Sequence, residues 1–283
     1  MKRFLVVSLI LPFAYGCTSK SAEDADTGND QSVDQPEDVV PEAVDAEPLF
    51  EVTGALLDLA IAPDGRIFAS IEEHAIDVWD PATEWVEQHT DRAGPIFGIS
   101  WSEDTIWYTT SSHRQAGALM KLDGKNGVVI AEAQGDTIFR EPRDLCRTSD
   151  DKWVITDTTL GLLFIINDDG SSVERLSVPL TDLSTVACDT GHVYVGGDDG
   201  VVRIPWPDGS PETIDSRPVD GLHIAKGIAW GTNRDWGVFE VGGDRRLELP
   251  DIGRPGRMAG QDSLLVTDSA AGAVWLVSLS GID

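Results

Sequence analysis

Ser263–Gly281 reads SLLVTDSAAGAVWLVSLSG, with two apolar runs, Leu264–Val266 and Ala273–Val277, on either side of the polar turn Asp268–Gly272. Two such runs around a Gly-containing turn are the sequence form of a β-hairpin. The runs are apolar at consecutive rather than alternate positions, as in strands buried on both faces. The unit recurs upstream as WVITDTTLGLLFIIN, Trp153–Asn167. Self-similarity over a long period marks a repeat architecture.

Working outward, the first apolar residues of the matching second strands are Ile67, Ile106, Trp153, Val193, Ile228 and Leu264. They are 39, 47, 40, 35 and 36 residues apart. Propeller blades of four strands repeat at about 40 residues. Turn chemistry fits, with Pro63–Gly65 in the first unit, Asp123-Gly124 in the second and Asn167–Gly170 in the third. An outer strand follows in five units: Val86–Asp91, Val128–Ala133, Ser172–Val178, Glu212–Ser216 and Arg245–Leu249. The frequent glycines (28) and tryptophans (9) suit Gly-turned hairpins with aromatic packing. The spacing therefore predicts an all-β, six-bladed β-propeller over residues 48–283, with an open β-sandwich as the weaker alternative. The sixth unit has no outer strand after it, and Leu49–Gly54 (LFEVTG) precedes the first unit without a partner. Leu49–Gly54 is expected to pair with Ala273–Ser278 and close the ring, since an unpaired edge is a liability.

The N-terminal residues read differently. Met1–Gly16 has a charged start at Lys2 and Arg3, an apolar core Phe4–Phe13 and a small-residue exit before Cys17. That is the pattern of a cleaved export signal, too short to stay as a membrane span. It resembles a bacterial lipoprotein signal, although Ala14 stands where that motif usually has Leu. The resemblance implies lipidation of Cys17, hence a membrane contact and a place in the bacterial cell envelope, facing the periplasm or the outside. An ordinary secretory signal is the alternative. The following stretch, 17–47, is rich in Asp and Glu and has no aromatic residue. It reads as an extended, disordered tether.

The formal net charge is −28; the export segment contributes +2 and Thr18–Phe50 −9, so the rest carries −21. Such a field repels phosphate backbones and argues against nucleic acid as a partner. Cys146 and Cys188 fall on innermost strands of neighbouring blades. A disulfide between them and two small buried thiols are both open readings.

The unit of apolar strand, turn and strand ending in Thr-Asp or Thr-Thr resembles the six-bladed NHL and gluconolactonase/regucalcin-like propellers over Phe50–Ile282. Such folds host hydrolases, lyases and inert platforms alike. Their sites lie where the inner strands begin. One register across the six blades gives Leu57, Phe97, Arg143, Ser184, Asp220 and Gly256, and the next gives Asp58, Gly98, Asp144, Thr185, Gly221 and Arg257. Asp58, Arg143, Asp144, Ser184, Asp220 and Arg257 are thus candidates to converge on a polar ligand, or to satisfy one another around a water-filled channel. The lactonase resemblance implies a divalent metal held by a Glu on blade one, an Asn on a middle blade and an Asp. Asp220 in Val219-Asp220-Gly221 matches the last, but Leu57, Arg143 and Ser184 supply no counterpart.

Other chemistry is sparse. His74, His89, His113, His192 and His223 lack metal-ligand spacing, and no nucleophile elbow or Gly-rich phosphate loop occurs. No metal and no cofactor are expected, and no catalytic residue is assigned. Trp79, Trp107, Trp153, Trp230, Trp236 and Trp275 read as packing between blades rather than a sugar-binding strip. The expectation is an envelope lipoprotein whose propeller binds or scaffolds an envelope protein or small polar ligand without catalysis. The alternative is a lactonase-like hydrolase or lyase working around Asp220.

Overall fold

Four-stranded antiparallel sheets repeat six times along the chain in this computed structural model. It describes residues 42–52, 54–71, 75–83, 85–90, 95–111, 117–123, 126–132 and 139–282. Blade one is Leu56–Ile61, Ile67–Ile71, Ala75–Asp80 and Trp85–Thr90; blade two is Ile96–Ser102, Thr105–Thr110, Ala118–Asp123 and Asn126–Glu132. Blade three comprises Pro142–Arg147, Lys152–Asp157, Leu162–Asn167 and Val173–Ser177, and blade four Thr185–Cys188, His192–Gly197, Gly200–Pro205 and Glu212–Asp215. Gly221–Ala225, Ile228–Asn233, Gly237–Glu240 and Arg246–Glu248 form blade five. Blade six has Pro255–Ala259, Ser263–Asp268 and Ala273–Ser278. Each inner strand contacts the next, and that of blade six contacts that of blade one. The fold is the six-bladed propeller read from the repeat.

Why the strands are apolar at consecutive positions is now physical. Each blade packs against a neighbour on both faces, and six apolar clusters fill the six seams. Aromatic rings sit across these seams. Trp107 of blade two lies 4.7 Å from Trp153 of blade three, and Phe68 of blade one 5.3 Å from Trp101 of blade two.

The closing strand lies three residues earlier than the expected Leu49–Gly54. Ala46–Glu51 is the fourth strand of blade six, antiparallel to Ala273–Ser278, with Ala46 opposite Val277 and Glu51 opposite Ala273. Just before it, Glu42–Ala43 pairs in parallel with Arg246–Glu248 as a fifth strand on blade five. Residues 42–47 are therefore part of the propeller, which corrects the tether boundary at 47. Acidic side chains are tolerated there because an outermost strand leaves one edge and much of its surface to water, as the exposed Glu42, Ala43, Glu47 and Pro48 show. The export segment, Cys17 and the tether up to residue 41 lie outside the described residues. Among the described residues no helix is long and apolar enough to cross a membrane.

The Thr that recurs near the end of the second strand in blades two, three, five and six has a structural task. The Thr109, Thr156 and Thr267 hydroxyls accept hydrogen bonds from the inner-strand amides of Gly98 (3.0 Å), Asp144 (3.1 Å) and Arg257 (2.8 Å). In blade four the position is Gly196, where a Cβ would come within 2.2 Å of Val219 and 2.7 Å of Thr185. The residue after it caps two loops at once. Asp157 accepts from the amides of Arg140 (2.6 Å), Glu141 (3.1 Å) and Leu160 (3.0 Å), and Asp268 from those of Gly253 (2.8 Å) and Ala270 (2.9 Å). The Thr-Asp signature thus builds the blade rather than a reaction site.

Candidate functional site

The inner strands start at one end of the channel, and there the ladder is irregular. Pairing with the second strand skips Leu57, Phe97 and Gly98, Arg143, and Gly256 and Arg257. A bulge breaks the strict alternation of side chains and re-aims those beside it. It does so here in blades one, two, three and six, at the register in which the candidate residues fall.

Four of the six candidates meet. Arg257 reaches across the channel from blade six, its Nη1 donating to Asp144 Oδ2 at 2.7 Å and its Nη2 to the Ser184 carbonyl at 2.7 Å. This ion pair is nearly dry, with side-chain exposures of 15% and 8%. Asp144 Oδ2 also accepts from the Thr185 hydroxyl at 2.7 Å and the Val186 amide at 2.9 Å, both on blade four. Asp58 does the equivalent at the seam of blades one and two, Oδ2 accepting from the Ile99 amide of blade two at 2.8 Å. Thr185 continues the pattern, its hydroxyl accepting from Leu222 of blade five at 2.9 Å. Where the register holds Gly98 or Gly221 the backbones approach directly, since a Cβ would lie 2.7 Å from Asp144 Cα or 2.4 Å from the Gly256 carbonyl. Each of these positions is a joint between adjacent blades.

Two carboxyls therefore sit near one guanidinium. Burial, and then the Asp144 charge, push the Asp58 carboxyl up to about 8, against the pull of Arg257 and of the Ile99 amide. His223, farther along the inner strand of blade five, bonds the Gly260 carbonyl through Nε2. Burial holds its imidazole below the usual range, with the Gly260 bond and Asp144 pulling the other way.

Arg143 and Asp220 stand apart from that cluster. The Arg143 guanidinium carbon lies 4.4 Å from the Phe97 ring centroid, and its Nη2 pairs with Glu141 Oε1. Glu141 is itself fixed by the Thr159 hydroxyl at 2.8 Å. Asp220 is exposed, yet desolvation raises its carboxyl pKa; Arg254 and Arg257 oppose that rise, while Asp198 and Asp235 add to it. Ser184 spends its hydroxyl on the Val219 carbonyl at 3.0 Å. His74, His89 and His113 lie outside the described side chains, and His192 is a near neighbour of Asp189, Nδ1 to Oδ1 3.3 Å.

These donors do not fit a divalent cation of the kind the lactonase resemblance implies. Leu57 has no ligating atom, Arg143 brings a positive charge, and the Ser184 hydroxyl points its proton at a carbonyl. Asp220 alone remains, whereas a hard cation takes six to eight oxygens. Among the described residues no group of three or more His, Cys, Asp or Glu is placed to hold a metal. Two surface hollows lie elsewhere: one of about 390 Å³ beside Glu103, Lys121 and Asp123, and one of about 300 Å³ between Arg246–Glu248 and Pro255.

Cys146 and Cys188 are joined by a disulfide, with Cα atoms 5.7 Å apart. It staples the inner strands of blades three and four below the Asp144–Val186 joint.

No family model matches the sequence, and no curated protein does. Solved structures do. A gluconolactonase from Xanthomonas campestris superposes with a TM-score of 0.71 at 16% identity, covering 83% of this chain and 89% of that one. The fold is that of the gluconolactonase propellers. A luciferin-regenerating enzyme (TM-score 0.63, 12% identity, 84% and 96% covered) and virginiamycin B lyase from Staphylococcus aureus (0.59, 9%, 83% and 99%) share it. At these identities the likeness is one of architecture, and it spans enzymes of unlike chemistry.

Proposed function

We propose that the protein is a hydrolase or lyase acting on a small polar substrate at the channel mouth, with Asp220 moving the proton. The setting of Asp220 carries this reading. Its carboxyl is open to solvent at the head of an inner strand beside two arginines, and desolvation shifts its pKa upward, the direction that favours a carboxyl holding and giving up a proton. Such a group gives a proton to a leaving oxygen or takes one from an attacking water, beside the Arg254 and Arg257 charges. The fold shared with a gluconolactonase and a lyase supports the class of reaction.

One observation favours the rival reading, a non-catalytic binding propeller: Asp58, Asp144 and Thr185 spend their polar atoms on neighbouring blades. A panel of lactones and esters separates the two. Turnover that Asp220→Asn lowers about 100-fold or more is the expected result, given what a positioned acid or base contributes. Absence of turnover throughout, or full activity in Asp220→Asn, overturns the enzymatic reading.

The export pattern and Cys17 further support a place in the cell envelope, with lipid on Cys17 as the membrane contact. Cys17→Ser is expected to move the protein from the membrane fraction to the soluble one; continued partition with membranes refutes the anchor.

A further inference from the structure

We propose that the mouth selects a carboxylate carrying an apolar, sparsely hydroxylated ring, such as an aryl acid or its ester, in preference to a polyhydroxy acid, and that Arg143 is the anchor. This rests on reading the mouth as a substrate site.

The argument is an inventory of what the rim has left to offer. The six residues of the outer register are Leu57, Phe97, Arg143, Ser184, Asp220 and Gly256. Recognition of a polyhydroxy acid needs several unengaged donors and acceptors, because each sugar hydroxyl taken from water must be replaced by a partner. The rim lacks them. The Ser184 hydroxyl is spent on Val219, and the Thr109, Thr156 and Thr267 hydroxyls are spent on inner-strand amides. Gly256 has no side chain, and Leu57 and Phe97 present half-buried apolar surface where a lactonase-type site would place oxygen.

Arg143 is the opposite case. Its side chain is 35% exposed and makes one hydrogen bond among the described residues, through Nη2 to Glu141. Phe97 supports one face and Glu141, held by Thr159, fixes one edge, so the guanidinium is preorganised, and among the described residues Nε and Nη1 have no hydrogen-bond partner. A fixed guanidinium with free N–H groups suits a carboxylate, and its open face suits a flat ring. An anion is thus met by Arg143 and an apolar body by the adjoining Phe97, with Leu57 at the same register on blade one.

Calorimetric titration of the full-length protein tests this with 3-phenylpropanoate and D-gluconate as matched monoanions. The phenyl acid is expected to bind at least about tenfold more tightly, and Arg143→Ala to weaken it about tenfold or more. Arg143→Lys keeps the charge without the planar fork and is expected to lose most of the same affinity, with an unchanged melting temperature. Equal or tighter gluconate binding, no binding of either acid, or full affinity in Arg143→Ala overturns the inference. Phenylpropanoate binding without turnover of any ester supports it while overturning the enzymatic reading. Turnover of a sugar lactone with no binding of the phenyl acid does the reverse.

Discussion

Asp144 shows how much of this channel is held by single side chains. Its carboxylate is bonded from blade four by Thr185 and Val186 and from blade six by Arg257. Removing one partner of a nearly dry ion pair leaves a desolvated charge, so Arg257→Ala is expected to lower unfolding stability by about 3 kcal/mol in denaturant titration. Asp144→Leu with Arg257→Met together should recover part of that loss, because the stranded charge is gone. Asp58 makes a separate, pH-dependent contribution. Its folded carboxyl titrates near 8, well above the unfolded value of about 3.9. The fold therefore holds a proton that the unfolded chain has released, and stability falls as pH rises until it levels off above 8. His223, neutral in the fold, acts oppositely: its contribution is complete above about 6.5 and is lost as pH falls. In the window from 6.5 to 8 the His223 contribution is already in place, while the raised Asp58 carboxyl still lowers stability with rising pH. Melting temperature is expected to decline across it, and Asp58→Asn to flatten that decline; an unchanged slope in the variant refutes the assignment. The register of Asp58, Asp144 and Arg257 was legible, because each falls at the start of an inner strand. Their partners were not. Arg257 meets Asp144 across 113 residues, a contact that exists only once the ring is closed.

Among the elements, the closing strand is the instructive case. Its existence followed from an edge without a partner, but its boundary did not follow from composition. Ala46 and Glu47 read as spacer because an outer strand needs little apolar surface, and in this strand only Ala46, Leu49 and Phe50 are even half-buried. Phe50 is its main contact, stacked on Trp79 of blade one at 5.3 Å. Phe50→Ala is expected to cost about 2 kcal/mol, less than a fully buried aromatic, measured by denaturant midpoint. Blade identity, by contrast, was plain, since burial on both faces writes unbroken apolar runs. The disulfide was left open by the sequence because neighbouring inner strands need not bring two cysteines to the same height. It closes a separation of 42 residues, so Cys146→Ala with Cys188→Ala is expected to lower stability by about 2–4 kcal/mol. Stability unaffected by the double substitution refutes that estimate.

For the whole molecule, the ring is fastened near one place: Glu42–Ala43 lies on blade five, Ala46–Glu51 on blade six, and the last described strand, Ala273–Ser278, is the partner of the second. The consequence is one of timing. During synthesis Ala46–Glu51 appears more than two hundred residues before the strand it pairs with. Blades one to five can stack as they emerge, each against the one before. Blade six and its early-made fourth strand can only zip last, through the strand pairing of greatest sequence separation among the described residues, and such contacts slow folding. Assembly of this propeller is therefore expected to end in a single late latching step that a chain halted before Ala273 never reaches.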